Sequence, residues 1–215
     1  MPTLHGATGS PFVRKVQIAA AMKGIEYTHE PVVPFGVSAE YKRKSPLGKI
    51  PCWEDGEFSL PDSSCIVAYL EKLKPQPALY PADPQAFARA LWFEEYADTK
   101  LVEVTGALFF ERVIKRLFFK QQPDEARVQD ALQNKVPEIF GYLETQVPES
   151  GDAIVGGRFS IADVALGSQL MNIRIAGLEI DAGRWPKLAA YVQAVHGNPW
   201  FKPVFEAEKA QFAAS

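Results

Sequence analysis

Residues 50–64 read Ile50-Pro51-Cys52-Trp53-Glu54-Asp55-Gly56-Glu57-Phe58-Ser59-Leu60-Pro61-Asp62-Ser63-Ser64. Two short strands, residues 51–54 and 57–60, flank Asp55-Gly56, a pair that suits a tight hairpin turn. Pro61 ends the second strand. Asp62-Ser63-Ser64 then offers the short oxygen-bearing side chains that cap a helix, and Ile66, Val67, Tyr69, Leu70 and Leu73 follow at helical spacing.

Toward the N-terminus, residues 3–6 form a brief strand that leads into the turn Ala7-Thr8-Gly9. Ser10-Pro11 opens a helix, since Ser is a preferred N-cap and Pro is favoured at the first helical position. Val13, Val16, Ala20 and Lys23 continue it, and Gly24 is a natural stop. A second strand fits residues 26–33 before Pro34, Phe35 and Gly36 break the pattern. Residues 38–44 suit a short helix, and Pro46-Leu47-Gly48 is turn chemistry. The inferred order is β-α-β-α-β-β-α.

Toward the C-terminus the pattern changes. Lys74-Pro75-Gln76-Pro77-Ala78-Leu79-Tyr80-Pro81 is Pro-rich and reads as a linker. Residues 84–119 form one long helix or two, with Phe110, Val113, Ile114 and Leu117 on one face. Another helix spans residues 124–147, and Pro137 inside it predicts a kink or break. Ser160 and Asp163 make a capping pair, with Phe159 and Val164 at the positions of a hydrophobic staple. Leu188, Tyr191, Val192 and Val195 mark a further helix after Trp185-Pro186, ended by Gly197-Asn198-Pro199. The expected domains are residues 1–78, mixed α/β, and residues 84–215, all-helical.

Composition narrows the function classes. The chain has 215 residues, 47% hydrophobic and 23% charged, the balance of a globular protein with an ample core. Its 23 Lys plus Arg against 26 Asp plus Glu give −3, which argues against nucleic acid as the main partner. Lys42-Arg43-Lys44, the one run of three basic residues, reads as a solvated face. No apolar run approaches a membrane span, and the opening residues do not read as a secretory signal. Cys52 and Cys65 form no CxxC, so a reducing cytoplasm is the default. His5, His29 and His196 are too scattered to suggest a metal site.

Three local signals carry chemistry, and each has a plain structural reading beside it. Ser10 is a helix N-cap, or a hydroxyl at the positive end of a helix dipole aimed at an anion. Asp62 and Ser63 are a cap, or a pair that receives the ammonium and carboxylate of an α-amino acid end. Ile50-Pro51 is a trans strand start or, if cis at an exposed edge, a backbone rung for an extended peptide.

Taken in order and spacing, Ser10-Pro11-Phe12-Val13-Arg14-Lys15-Val16, Ser45-Pro46-Leu47-Gly48-Lys49-Ile50-Pro51, Leu60-Pro61-Asp62-Ser63 and Phe159-Ser160-Ile161-Ala162-Asp163 resemble the glutathione S-transferase superfamily across essentially the whole chain. The resemblance implies a thioredoxin-like N-terminal domain, an all-α C-terminal domain and a cytoplasmic homodimer acting in detoxification. It implies glutathione as co-substrate, with no metal and no membrane or nucleic-acid partner. Ile50, before a cis Pro51, would pair with the cysteinyl part, Asp62 and Ser63 would hold the γ-glutamyl end, and Ser10 would donate to the sulfur. Phe12 and Lys49 would neighbour the ligand. Leu108 and Phe109 would wall the site of a small electrophile, and Asp98 could reach a partner subunit's site.

The implied mechanism is pKa control. A free thiol titrates near ~8.5, so little is thiolate at pH 7. Lowering that by about two units needs roughly 2.7 kcal/mol, within reach of one charge-assisted hydrogen bond plus a helix dipole. Ser10 has only to donate.

Departures from the family pattern also matter. Ser10-Pro11-Phe12-Val13 has no cysteine, which speaks against dithiol redox chemistry. Ser45 stands where many relatives have Asn, which predicts a looser turn. Lys42 is the candidate for the glycyl carboxylate. Cys52 reads as a buried strand residue and Asp163 as a structural cap. The functional alternatives are a glutathione-dependent isomerase, dehalogenase or peroxidase, or a non-catalytic adaptor of the same fold.

Overall fold

The computed structural model describes residues 1–213, and these divide into two compact units, the first Met1–Leu79 and the second from Tyr80 onward. The first unit runs β1 (Thr3–His5), α1 (Pro11–Lys23), β2 (Thr28–Glu30), α2 (Ala39–Lys44), β3 (Cys52–Asp55), β4 (Phe58–Pro61) and α3 (Ser63–Leu73). Its four strands lie in the order β2-β1-β3-β4, with β1 parallel to β2 and the other pairs antiparallel. This is the expected thioredoxin-like βαβ-ββα arrangement.

The sheet is held by burial across it. Leu4 and Trp53 face each other on β1 and β3, and both are fully buried. Val16, Ala20, Ile66 and Leu70 are also fully buried, and α1 packs on α3. Lys23 adds a polar clamp. Its buried Nζ donates to the Lys74 carbonyl at 2.7 Å and the Pro77 carbonyl at 2.9 Å, and meets Glu71 at 2.6 Å.

Two strand expectations need correction. β2 covers Thr28–Glu30 rather than residues 26–33, because Pro31 has no N–H to continue the ladder. In the hairpin, Asp55 pairs with Phe58, so the turn is Gly56-Glu57 rather than Asp55-Gly56. Gly56, at φ 62, takes the left-handed conformation that the first turn position of this hairpin requires.

The second unit is helical: α4 (Pro84–Tyr96), α5 (Val102–Phe109), α6 (Lys115–Phe119), α7 (Glu125–Asp130), α8 (Val136–Gln146), α9 (Ile161–Ile175), α10 (Pro186–Gly197) and α11 (Lys202–Ala213). The run from Pro84 to Phe119 is continuous, widened by π-helical turns at Ala97–Leu101 and Phe110–Ile114. Pro137 sits at the start of α8, immediately after a third π-helical turn, Ala131–Lys135. That widened turn accommodates a proline that can neither donate to the ladder nor sit close to the preceding turn's carbonyl.

Helix α9 is the axis of this unit. Every residue from Ile161 to Ile173 is buried, and α4, α5, α10 and α11 pack on it. Gly167 permits the closest approach: a Cβ there would lie 2.5 Å from Val195 Cγ1 and 2.8 Å from Phe201 Cζ. Among the described residues, no helix is long and apolar enough to cross a membrane.

Candidate active site

The register of the sheet gathers three chain segments at one end. His5 closes β1, and its partner Cys52 opens β3. Cys52 is in turn opposite Pro61, which closes β4. The segments that follow β1, precede β3 and follow β4 therefore leave the same end of the sheet. Those segments carry Ser10, the Lys49-Ile50-Pro51 tripeptide and the Asp62-Ser63 pair. The fold thus assembles all three local signals read from the sequence.

Ser10 is the N-cap of α1, and its Oγ accepts from the Val13 N–H at 3.4 Å. That bond uses a lone pair only. The hydroxyl proton is committed to no acceptor among the described residues. Pro11 removes one of the four orphan N–H groups of the helix start, and the Arg14 N–H goes to the Ser10 carbonyl at 3.0 Å. Phe12, half-buried one residue on, keeps a backbone N–H with no described partner. An anion placed here would meet a hydroxyl, an amide and the positive end of a thirteen-residue helix.

Asp62 caps α3 in an unusual backbone conformation, φ 77 and ψ 126. A non-glycine residue there carries strain of about 1–3 kcal/mol. Its Oδ1 accepts the Ser64 N–H at 3.0 Å and the Cys65 N–H at 3.1 Å, and its carbonyl accepts the Ile66 N–H at 2.9 Å. The cap thus occupies one carboxylate oxygen and leaves the other outward. Ser63 is buried, and its N–H and hydroxyl bond to no described residue. The arrangement offers donors for a carboxylate beside an acceptor for an ammonium.

Lys49, Ile50 and Pro51 form the third segment, and the Ile50-Pro51 peptide is cis. The Lys49 carbonyl is fixed by two hydroxyls, Ser45 Oγ at 2.8 Å and Tyr41 OH at 3.0 Å. The looser turn expected from Ser45 is therefore not found; Tyr41 is a second donor that the sequence reading missed. Burial pushes the Tyr41 phenol up, which keeps it a donor. No backbone hydrogen bond ties Ile50 to another described residue. Lys42 is exposed on α2.

Cys52 is fully buried, and burial, then Glu54, pushes its thiol up. It lacks the thiolate character of a nucleophile. Beneath it lies a polar network that sequence spacing did not reveal. Buried His5 meets Glu54 at 2.7 Å and Glu30 at 3.1 Å, and Lys44 meets Glu54 at 2.6 Å. These contacts tie β1 to both neighbouring strands and to α2.

In the second unit, Leu108 and Phe109 lie on α5 at 1% and 7% exposure. Phe109 packs edge-on against Phe212 at 5.7 Å. Among the rings of that run C-terminal to α5, Phe118 and Phe119 are exposed, and periodicity did not single them out. Asp98 lies in the first π-helical turn. Asp163 is fully buried; it accepts from the Ile154 N–H at 2.8 Å, the Ser160 N–H at 2.9 Å and Tyr191 OH at 2.8 Å. Burial raises its carboxyl, and these bonds oppose the rise. Its place is a structural cap.

The comparisons with known proteins agree with this fold. The family model for the glutathione S-transferase N-terminal domain matches residues 4–78, and that for the C-terminal domain matches residues 109–208. A glutathione S-transferase from Triticum aestivum is 28% identical over 202 residues, covering 94% of this chain and 91% of that protein. A maleylacetoacetate isomerase from Pseudomonas aeruginosa is 27% identical over 208 residues, covering 94% of each. A glutathione S-transferase structure from Rhodospirillum rubrum F11 superposes with a TM-score of 0.85 at 23% identity, over 95% of this chain and 91% of that one.

Proposed function

The chain belongs to the glutathione S-transferase superfamily, and from that premise we propose that it binds glutathione in the first unit and conjugates its thiolate to small hydrophobic electrophiles. The observation that carries this reading is the uncommitted hydroxyl proton of Ser10 at the start of α1. Ser10 donates to the glutathione sulfur, and with the helix dipole it favours the thiolate over the thiol. The uncommitted backbone of Ile50 pairs with the cysteinyl residue in the manner of an added strand. Ser63 receives the γ-glutamyl carboxylate, and the outward oxygen of Asp62 receives its ammonium. Phe12 and Lys49 flank the ligand, and Lys42 is the candidate for its glycyl carboxylate.

Glutathione-agarose retention and titration calorimetry test the reading. Retention, with micromolar-to-millimolar binding, is expected. A folded chain that ignores millimolar glutathione would be an adaptor instead.

A second reading rests on the relative from Pseudomonas aeruginosa, which is named an isomerase and matches nearly end to end. The same thiolate would add to a conjugated double bond and leave again after rotation. Glutathione is then regenerated rather than consumed, so the stoichiometry of thiol loss per product separates the two readings.

We also assign a homodimer. Phe58, Leu73 and Tyr69 present apolar surface on the first unit, and Phe87, Leu91 and Trp92 do so on α4. Pairing of two copies would cover such surface. Among the described residues Cys52 and Cys65 form no disulfide, which fits a reducing cytoplasm.

A further inference from the structure

We propose that Lys15 is a positioning residue for the start of α3: its buried amine fixes Ser64 and thereby sets the Asp62-Ser63 donors that, on the reading above, hold the γ-glutamyl end of glutathione. Lys15 lies on α1, five residues after Ser10, and is 1% exposed. Its Nζ donates to Ser64 Oγ at 2.8 Å. The Ser64 N–H is already committed to Asp62 Oδ1 at 3.0 Å. Ser64 is therefore gripped through both its backbone and its side chain.

What the grip holds is the conformation of the two residues before it. Asp62 sits at φ 77 and ψ 126, a region that a side-chain-bearing residue keeps only when its surroundings over-determine it. The cap bonds of Asp62 come from its own helix and would travel with it. Lys15 supplies a constraint from a different helix, the one that carries Ser10. It ties the donor hydroxyl of the thiol end to the donors of the amino-acid end.

A purely structural need would be met more cheaply. An apolar side chain at position 15 would fill the packing between α1 and α3 without the desolvation cost of a buried amine. The same helix already has a structural lysine, Lys23, whose amine clamps the far ends of α1 and α3 through Glu71, Lys74 and Pro77. Lys23 therefore serves as the control.

The test is calorimetric titration of glutathione into the full chain and its Lys15→Met, Ser64→Ala, double and Lys23→Met variants. Steady-state kinetics with a chloronitroaromatic electrophile run alongside, and circular dichroism verifies folding. Lys15→Met and Ser64→Ala should each weaken glutathione by about tenfold, as for a lost hydrogen bond to a charged group. The KM for glutathione should rise in step, with kcat at saturation within about twofold. The double variant should lose less than the sum of the two singles, because the two residues share the Lys15–Ser64 bond. Lys23→Met should lower the melting temperature and leave glutathione affinity unchanged.

Unchanged affinity in a folded Lys15→Met chain overturns the assignment, as do additive effects in the double variant. Should Lys15→Met not fold, Ser64→Ala decides alone: weakened binding supports the role and wild-type binding overturns it. A wild-type chain that does not bind glutathione overturns the functional reading and this one together, and is told apart by occurring before any substitution is made.

Discussion

On the proposed reading Ser10 serves two physical roles at once. Its oxygen accepts from Val13 and stabilises a helix start, and its proton would be left for the glutathione sulfur. The two roles separate under mutation. Ser10→Ala should cost about 1 kcal/mol of stability as a lost cap. It should also raise the thiol pKa of bound glutathione by about one to two units, since a charge-assisted hydrogen bond is worth ~1.5–3 kcal/mol. Thiolate absorbance of the complex against pH measures the second effect, and an unchanged titration would leave Ser10 as a cap only.

Asp163 is the opposite case, a residue with four hydrogen bonds and no site role. Asp163→Ala strands buried donors on Ile154, Ser160 and Tyr191. At about 1–3 kcal/mol for each unmet group, thermal unfolding should show a loss of several kcal/mol. Both residues were legible in the sequence, because cap chemistry is local. Lys15 was not. A lysine on a helix reads as solvated, and its partner Ser64 is 49 positions away.

Among the elements, local signals succeeded where a helix states its own boundaries. Ser10, Pro11 and Gly24 bracket α1 as expected. Strands were less legible, because their ends are set by partners. β2 stops where Pro31 interrupts pairing with β1, and the hairpin turn moves by one residue because Asp55 finds a partner in Phe58. The network around Glu54 is likewise a product of pairing, since it joins β1, β2, β3 and α2.

That network makes an acid-stability prediction. Lys44, then His5, hold the Glu54 carboxylate below its usual range. Ionised Glu54 therefore favours the folded state above about pH 4.5, and that contribution fades as pH falls through the lowered value. Glu54→Gln should cost about 1 kcal/mol at pH 7 and progressively less as pH falls below 4.5, flattening the acid limb of a melting-temperature profile. An unchanged limb would show that Lys44 and His5 find other partners.

At the scale of the whole molecule, the switch from mixed to all-helical architecture was readable from the Pro-rich linker and the change in hydrophobic period. The widened turns of the long helix were not, since a π-helical turn alters spacing by one residue without a sequence marker of its own. Homodimer formation is the prediction that belongs here. Phe87→Glu with Leu91→Glu should shift sedimentation from dimer to monomer. A wild-type chain that sediments as a monomer at micromolar concentration would refute it.

Because the end of the sheet set by His5, Cys52 and Pro61 carries the three segments that, on the proposed reading, face glutathione, the far end is free of that duty. The exposed Gly56-Glu57 link sits there, so a flexible epitope spliced between those two residues should leave glutathione turnover intact. The molecule thereby has a handle by which it can be anchored to a surface with its reactive mouth pointing away.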